Sequence, residues 1–162
     1  MERQNSVYVR MLEDVLKKKE HLLRDILERT REQEALLKQE ELDQERFHEI
    51  LEEKGRWIEA LNEMDEGFDT LFAKVETEIR SHKDQYKENI QRMQKSIVTV
   101  SEYGMKIQAL ENQNSERLKA YLAAERKKIR EYHMNSQTAS RYYRNMTNTH
   151  IPEQSYYFNQ KK

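Results

Sequence analysis

Apolar residues recur along this chain in alternating steps of three and four, the spacing of a helix with a seam along one side. The pattern is longest after Ser81. Its spine there is Tyr86, Ile90, Met93, Ile97, Val100, Gly104 and Ile107, then Leu110, Asn114, Leu118, Tyr121, Leu122, Ile129 and Tyr132. It predicts one helix over 82–134, about 80 Å long at 1.5 Å per residue. The stripe is clean from Tyr86 to Leu110, turns polar at Glu111 and Asn114, and returns with aromatics. The first part reads as packed within the protein, the second as surface kept for another use.

Two further helices precede it. The pairs Val7/Tyr8, Met11/Leu12, Val15/Leu16, Leu22/Leu23, Ile26/Leu27 and Leu36/Leu37 predict a first helix over 6–39, with Lys17, Lys18 and Lys19 interrupting the pattern for a turn. A second helix over 44–80 carries Phe47, Ile50/Leu51, Lys54, Trp57/Ile58, Leu61, Met64, Phe68, Leu71, Val75 and Ile79 as its seam. The break between them falls at 40–43. Asp43 has the place of an N-cap, and Leu42 and Phe47 have the spacing of a hydrophobic staple. Ser81-His-Lys-Asp84 has the spacing of a capping box for the third helix. Gly55 and Gly67 lie inside the second helix, where each costs about 1 kcal/mol against alanine; a close helix approach or a kink at Gly67 is the alternative to tolerated helix.

The predicted fold is all-α: an elongated antiparallel bundle of three long, coiled-coil-like helices, the third longest, occupying 1–136. An aromatic and basic C-terminal segment, 137–162, reads as a flexible tail. In an up-down-up arrangement the third helix would overhang its partners after about Ser115.

Composition narrows the function. With three glycines and one proline in 162 residues, turns are too few for a sheet protein. Charged residues make up 36%, so a narrow seam rather than a wide core is what the chain can bury. Net charge is −1, but residues 1–81 hold 14 Lys/Arg against 22 Asp/Glu, and residues 82–162 hold 15 against 8. Antiparallel packing would bring the acidic and basic halves together. There is no cysteine, which excludes disulfides and thiolate metal sites. The N-terminus has no apolar signal region, and no apolar run reaches the ~20 residues of a membrane span. A cytoplasmic protein is expected.

Candidate chemistry is sparse. Glu45-Arg-Phe-His48 is a Glu-x-x-His unit, but di-iron bundles need two, and the five histidines are scattered. Neither a zincin motif nor a phosphate-binding loop occurs. No enzyme and no cofactor is expected. Arg126-Lys-Lys-Ile-Arg130 and Arg141-Tyr-Tyr-Arg144 place positive charge beside aromatics, as single-strand binders do, but also suit a basic face complementing the acidic half. The apolar face of 115–132 is short for a membrane-surface helix. It has the anchor spacing of a helix that docks a partner helix.

The stretch Glu52-Glu-Lys-Gly-Arg-Trp-Ile-Glu-Ala-Leu-Asn-Glu-Met-Asp-Glu-Gly-Phe68 resembles a segment of the small flagellar export chaperones of the FlgN/FliT-like kind. The preceding Leu-Lys-Gln-Glu-Glu-Leu-Asp-Gln-Glu-Arg-Phe47 is similar to the helix break of that family, and Tyr142-Tyr-Arg-Asn-Met146 with its aromatic, lysine-ended tail is similar to the family's ending. The resemblance implies a cytoplasmic chaperone of flagellar type III secretion. It would bind terminal helices of late axial subunits, hook–filament junction proteins or the cap, prevent early assembly, and deliver them to the export apparatus. By segment, it places partner binding on Leu110, Leu118, Tyr121, Leu122, Ile129 and Tyr132. Some chaperones of that kind fold a C-terminal segment back over the binding surface, and the aromatic content of Tyr142, Tyr143 and Tyr156 to Phe158 offers the same here. The alternative is a structural coiled coil that self-associates through the third helix without chaperone activity; a weak homodimer suits either.

Overall fold

The computed structural model describes residues 2–126 together with 141, 142, 144 and 145. Its three long helices are α1 (Glu2–Leu37), α2 (Gln44–Ser81) and α3 (Lys87–Ala124), with no strand among the described residues. The bundle is that predicted, and the seam explains it. Buried positions run through 9, 12, 16, 19, 23, 26, 30 and 33 on α1, with 27 beside them, and through 47, 51, 54, 58, 61, 65, 68, 72, 75 and 79 on α2, with 50 beside them. On α3 they include 93, 97, 100, 107, 111, 114 and 118. Steps of three and four run through the α1 and α2 series, polar members included, and through α3 on either side of the half-buried Gly104.

The reversal at 38–43 forms as its residues dictate. The Asp43 carboxylate accepts from the Arg46 amide at 3.1 Å, and the Asp43 carbonyl accepts from Phe47 N at 3.0 Å, the first helical bond of α2. Leu42 and Phe47 are both buried. The second break differs from expectation. Ser81 is still the last residue of α2, and α3 starts only at Lys87. Ser81 therefore does not have the extended backbone a capping box needs. Two of the intervening amides bond backwards: His82 N to Glu78 O at 3.0 Å and Tyr86 N to His82 O at 3.2 Å.

α2 runs unbroken through both glycines, and a Cβ built at Gly55 or Gly67 meets nothing within 4 Å. Neither is a point of close approach.

The described chain forms two compact units, one from the chain up to Leu23 with Ala60–Gly104, the other from Arg24–Glu59 with the chain from Met105. In the first, Val9, Leu12 and Leu16 of α1 join Phe68, Phe72, Val75 and Ile79 of α2, and Met93 and Ile97 of α3. Tyr86 closes this core, and the Phe68 and Phe72 rings stack with centroids 6.1 Å apart. Lys74 of α2 faces the Tyr8 ring of α1, and Arg92 of α3 donates to Glu13 of α1 at 2.7 Å. In the second unit Ile26, Leu27, Phe47, Ile50, Leu51, Ile58, Ile107 and Leu118 are buried, and Trp57 is half-buried. Cross-helix pairs there show α1 antiparallel to α2 (Arg29–Glu53, Glu32–Arg46) and parallel to α3 (Thr30–Asn114, Glu34–Arg117).

Within the described residues α3 has 38 residues, the same as α2. The expected continuation over 127–134 lies outside the described residues. The overhang expected from Ser115 does not occur up to Ala124. Arg117 reaches Glu34 at 3.3 Å, Tyr121 reaches Gln44 at 3.3 Å, and Leu118 is buried. The end of α1 and the start of α2 lie alongside this stretch and cover it.

Candidate functional site: a buried charge cluster capped by Tyr142

The second unit buries a set of polar side chains at its seam. Lys54 of α2, Gln33 and Thr30 of α1, and Glu111 and Asn114 of α3 all have 3% relative exposure or less. Seam geometry aims all five at the common interior. Lys54 Nζ donates to Glu111 Oε1 and to Gln33 Oε1. The Thr30 hydroxyl sits 3.2 Å from the same Glu111 oxygen and donates to its own helix at Ile26 O, 2.7 Å away. Asn114 Nδ2 donates to Thr30 O at 3.1 Å, so α3 is tied to α1 through side chain and backbone together.

Tyr142 completes the cluster. It comes from the C-terminal segment, whose residues 141, 142, 144 and 145 are helical, and it is itself buried. Its hydroxyl donates to Glu111 Oε1 at 2.7 Å, and Lys54 Nζ lies 4.3 Å from its ring centroid. One side chain thus contacts both members of an ion pair: the phenol tip meets the anion and the ring face meets the cation. Burial holds the Lys54 amine down at about 8, against the attraction of Glu111, which favours the charged form. Glu111 Oε2 and Gln33 Nε2 are buried without a hydrogen-bond partner among the described residues.

The first unit has a charge pair of its own. Lys19 of α1 and Asp65 of α2 are both buried and in direct contact. Burial lowers the Lys19 pKa, with Asp65 and then Asp69 opposing the shift.

The residues the sequence singled out for partner binding are distributed unevenly. Leu118 is buried. Leu110, Tyr121 and Leu122 are half-buried on α3, and Tyr121 holds Gln44. Ile129 and Tyr132 lie outside the described residues, as do Tyr143 and Tyr156 to Phe158. His48 of the Glu-x-x-His unit has Nε2 3.0 Å from Glu52, and no group of three or more metal-type ligands occurs among the described residues. No helix among them is long and apolar enough to cross a membrane.

The polar turn at Glu111 and Asn114 marks the inside of the bundle and not the start of a free surface. Lys54 already stands in the seam of the second helix; what was missed is that its partner is Glu111. Lys19, Asp65, Thr30 and Gln33 escape an apolar pattern altogether. The unbroken three–four count, with polar residues allowed, finds all of them.

Comparison with known proteins returns no match: no family model fits the chain, and no curated protein or solved structure matches it.

Proposed function

We propose that this chain is a helix-binding chaperone, and that it serves flagellar type III export by holding terminal helices of late axial subunits in the cytoplasm until delivery. The observation that carries this reading is the docking of Tyr142: the second unit takes a short helical segment against its buried charges. The resemblance of 52–68 to flagellar export chaperones supplies the system, and this stretch builds the part of α2 that presents Lys54. Leu110, Tyr121 and Leu122 are the α3 residues offered to a partner, since each is half-buried in the free chain and has apolar area still to cover.

The test is capture from a lysate of the source organism, read by mass spectrometry, with the wild-type chain and a Leu110→Ala/Leu122→Ala variant. Leu118 is left intact because it is buried. Recovery of a junction, cap or filament subunit by the wild type and its loss from the variant supports the reading. Recovery of no flagellar subunit by the wild type overturns it.

A second reading, a structural coiled coil that self-associates, is favoured by Val7 and Met11. They stand one turn apart on α1 with 50% and 43% exposure. Sedimentation of the wild type against Val7→Lys/Met11→Lys tests that contact: a dimer abolished by the lysines supports self-association through α1, and the capture experiment, not the dimer, separates the two readings.

A further inference from the structure

The contact of Tyr142 with the charge pair defines a recognition chemistry as well as a contact. We infer that Lys54 and Glu111 form a tyrosine socket: a site in the second unit that selects a helix-borne tyrosine, filled at rest by Tyr142 and able to take the tyrosine of a partner helix in exchange. The inference rests on the reading of the chain as a partner-binding module.

The selectivity follows from the geometry. Glu111 Oε1 accepts from Lys54 and also from the phenol at 2.7 Å, so the socket presents a buried anionic acceptor to the tip of the ring. Phenylalanine supplies the ring face for Lys54 but leaves the carboxylate without the hydroxyl. A hydrogen bond to a buried charged group is among the stronger ones, so this difference is large. Phosphotyrosine fails for the opposite reason. Its ester oxygen has no proton to give, and its phosphate would bring negative charge against Glu111. An aliphatic side chain satisfies neither charge. The occupant is helical, because the described residues around Tyr142 are helical.

Tyr142 is also replaceable in a way the rest of the cluster is not. Lys54, Gln33, Thr30, Glu111 and Asn114 are carried by the three long helices, whereas Tyr142 lies outside all three.

The experiment uses the full chain carrying Tyr142→Ala, and a fluorescein-labelled peptide of residues 137–148 as the probe, read by anisotropy. Three further peptides carry phenylalanine, phosphotyrosine or alanine at the position of Tyr142. The tyrosine peptide is expected to bind the variant at least tenfold more tightly than it binds the wild-type chain, whose own Tyr142 competes. The phenylalanine peptide should bind at least tenfold more weakly than the tyrosine peptide, and the phosphotyrosine and alanine peptides more weakly still. A Tyr142→Ala/Glu111→Gln chain, close in shape to its parent, should lose most of the preference for tyrosine over phenylalanine while keeping its helical circular dichroism. Equal binding of the tyrosine and phenylalanine peptides overturns the proposal, and so does the absence of saturable binding at millimolar peptide. Either result leaves the capture experiment above unaffected, so failure of the socket is distinguishable from failure of the chaperone reading.

Discussion

Lys54 and Glu111 neutralise one another in the interior of the second unit, with α2 supplying the cation and α3 the anion. Lys19 and Asp65 do the same between α1 and α2 in the first unit. A buried pair of this kind is a poor source of net stability, because removing both charges from water costs about as much as their attraction returns. It is a good source of register. Sliding either helix by a turn would strand an ammonium among leucines and isoleucines, whereas a purely apolar seam would tolerate the slip.

Breaking and replacing the Lys54–Glu111 pair should therefore have opposite effects. Glu111→Ala alone should destabilise the chain by about 3–5 kcal/mol, because it leaves the ammonium buried and unpaired. Lys54→Met/Glu111→Leu together should be neutral or stabilising by about 1–4 kcal/mol. Urea unfolding followed by circular dichroism measures both. A double variant as damaged as the single one contradicts this account.

Lys54 also sets a pH dependence. Its amine titrates at about 8 in the folded chain, because burial disfavours the charged form, and at about 10.4 when unfolded. Between those values the unfolded chain binds more protons, so this group makes stability rise with pH. Below both values it is protonated in either state and contributes no slope. Other lysines and tyrosines titrate near the upper limit, so the quantity to measure is the stability of the wild type minus that of Lys54→Met. That difference should grow by up to about 3 kcal/mol from pH 8 to pH 10.5. A difference that stays flat counts against the buried cation.

Core positions should separate from the half-covered face of α3. Ile97 and Leu61 are almost fully buried, and truncating either to alanine should cost about 2–4 kcal/mol. Leu122 is half-buried, so Leu122→Ala should cost the isolated chain at most about half as much. Equal losses at Leu122 and Ile97 in denaturant melts contradict the assignment of Leu122 as surface available to a partner.

Gly67 offers a gain. It lies exposed inside α2, and an added Cβ would meet open space. Gly67→Ala should stabilise the chain by up to about 1 kcal/mol through helix propensity alone. A loss of stability there would mean that the helix needs the glycine for a bend.

Much of this architecture is legible in the sequence, because a three–four repeat leaves little choice of element. The Asp43 cap is legible too, since its chemistry is local: a carboxylate three residues ahead of an unbonded amide. What hides is any feature that depends on a residue from another helix. Lys19 ends a run of three lysines and looks like part of a solvated turn until Asp65 is placed opposite it. Glu111 looks like the end of a core until Lys54 is beneath it. The start of α3 hides for a related reason. Ser81 and Asp84 have the side chains of a capping box, but Ser81 is still the last helical residue of α2 and α3 begins only at Lys87, so Ser81 does not stand at the start of a helix.

Trp57, the single tryptophan of the chain, stands three residues from Lys54 in the second unit. The protein thereby carries a built-in optical reporter confined to one of its two units. Its emission follows the loss of that unit alone, while far-ultraviolet dichroism sums over all three helices. Superimposable melting curves from the two signals mark a single cooperative transition. An emission change that precedes the dichroism marks the unit holding Lys54 and Glu111 as the first to open, with the Phe68–Phe72 core outlasting it.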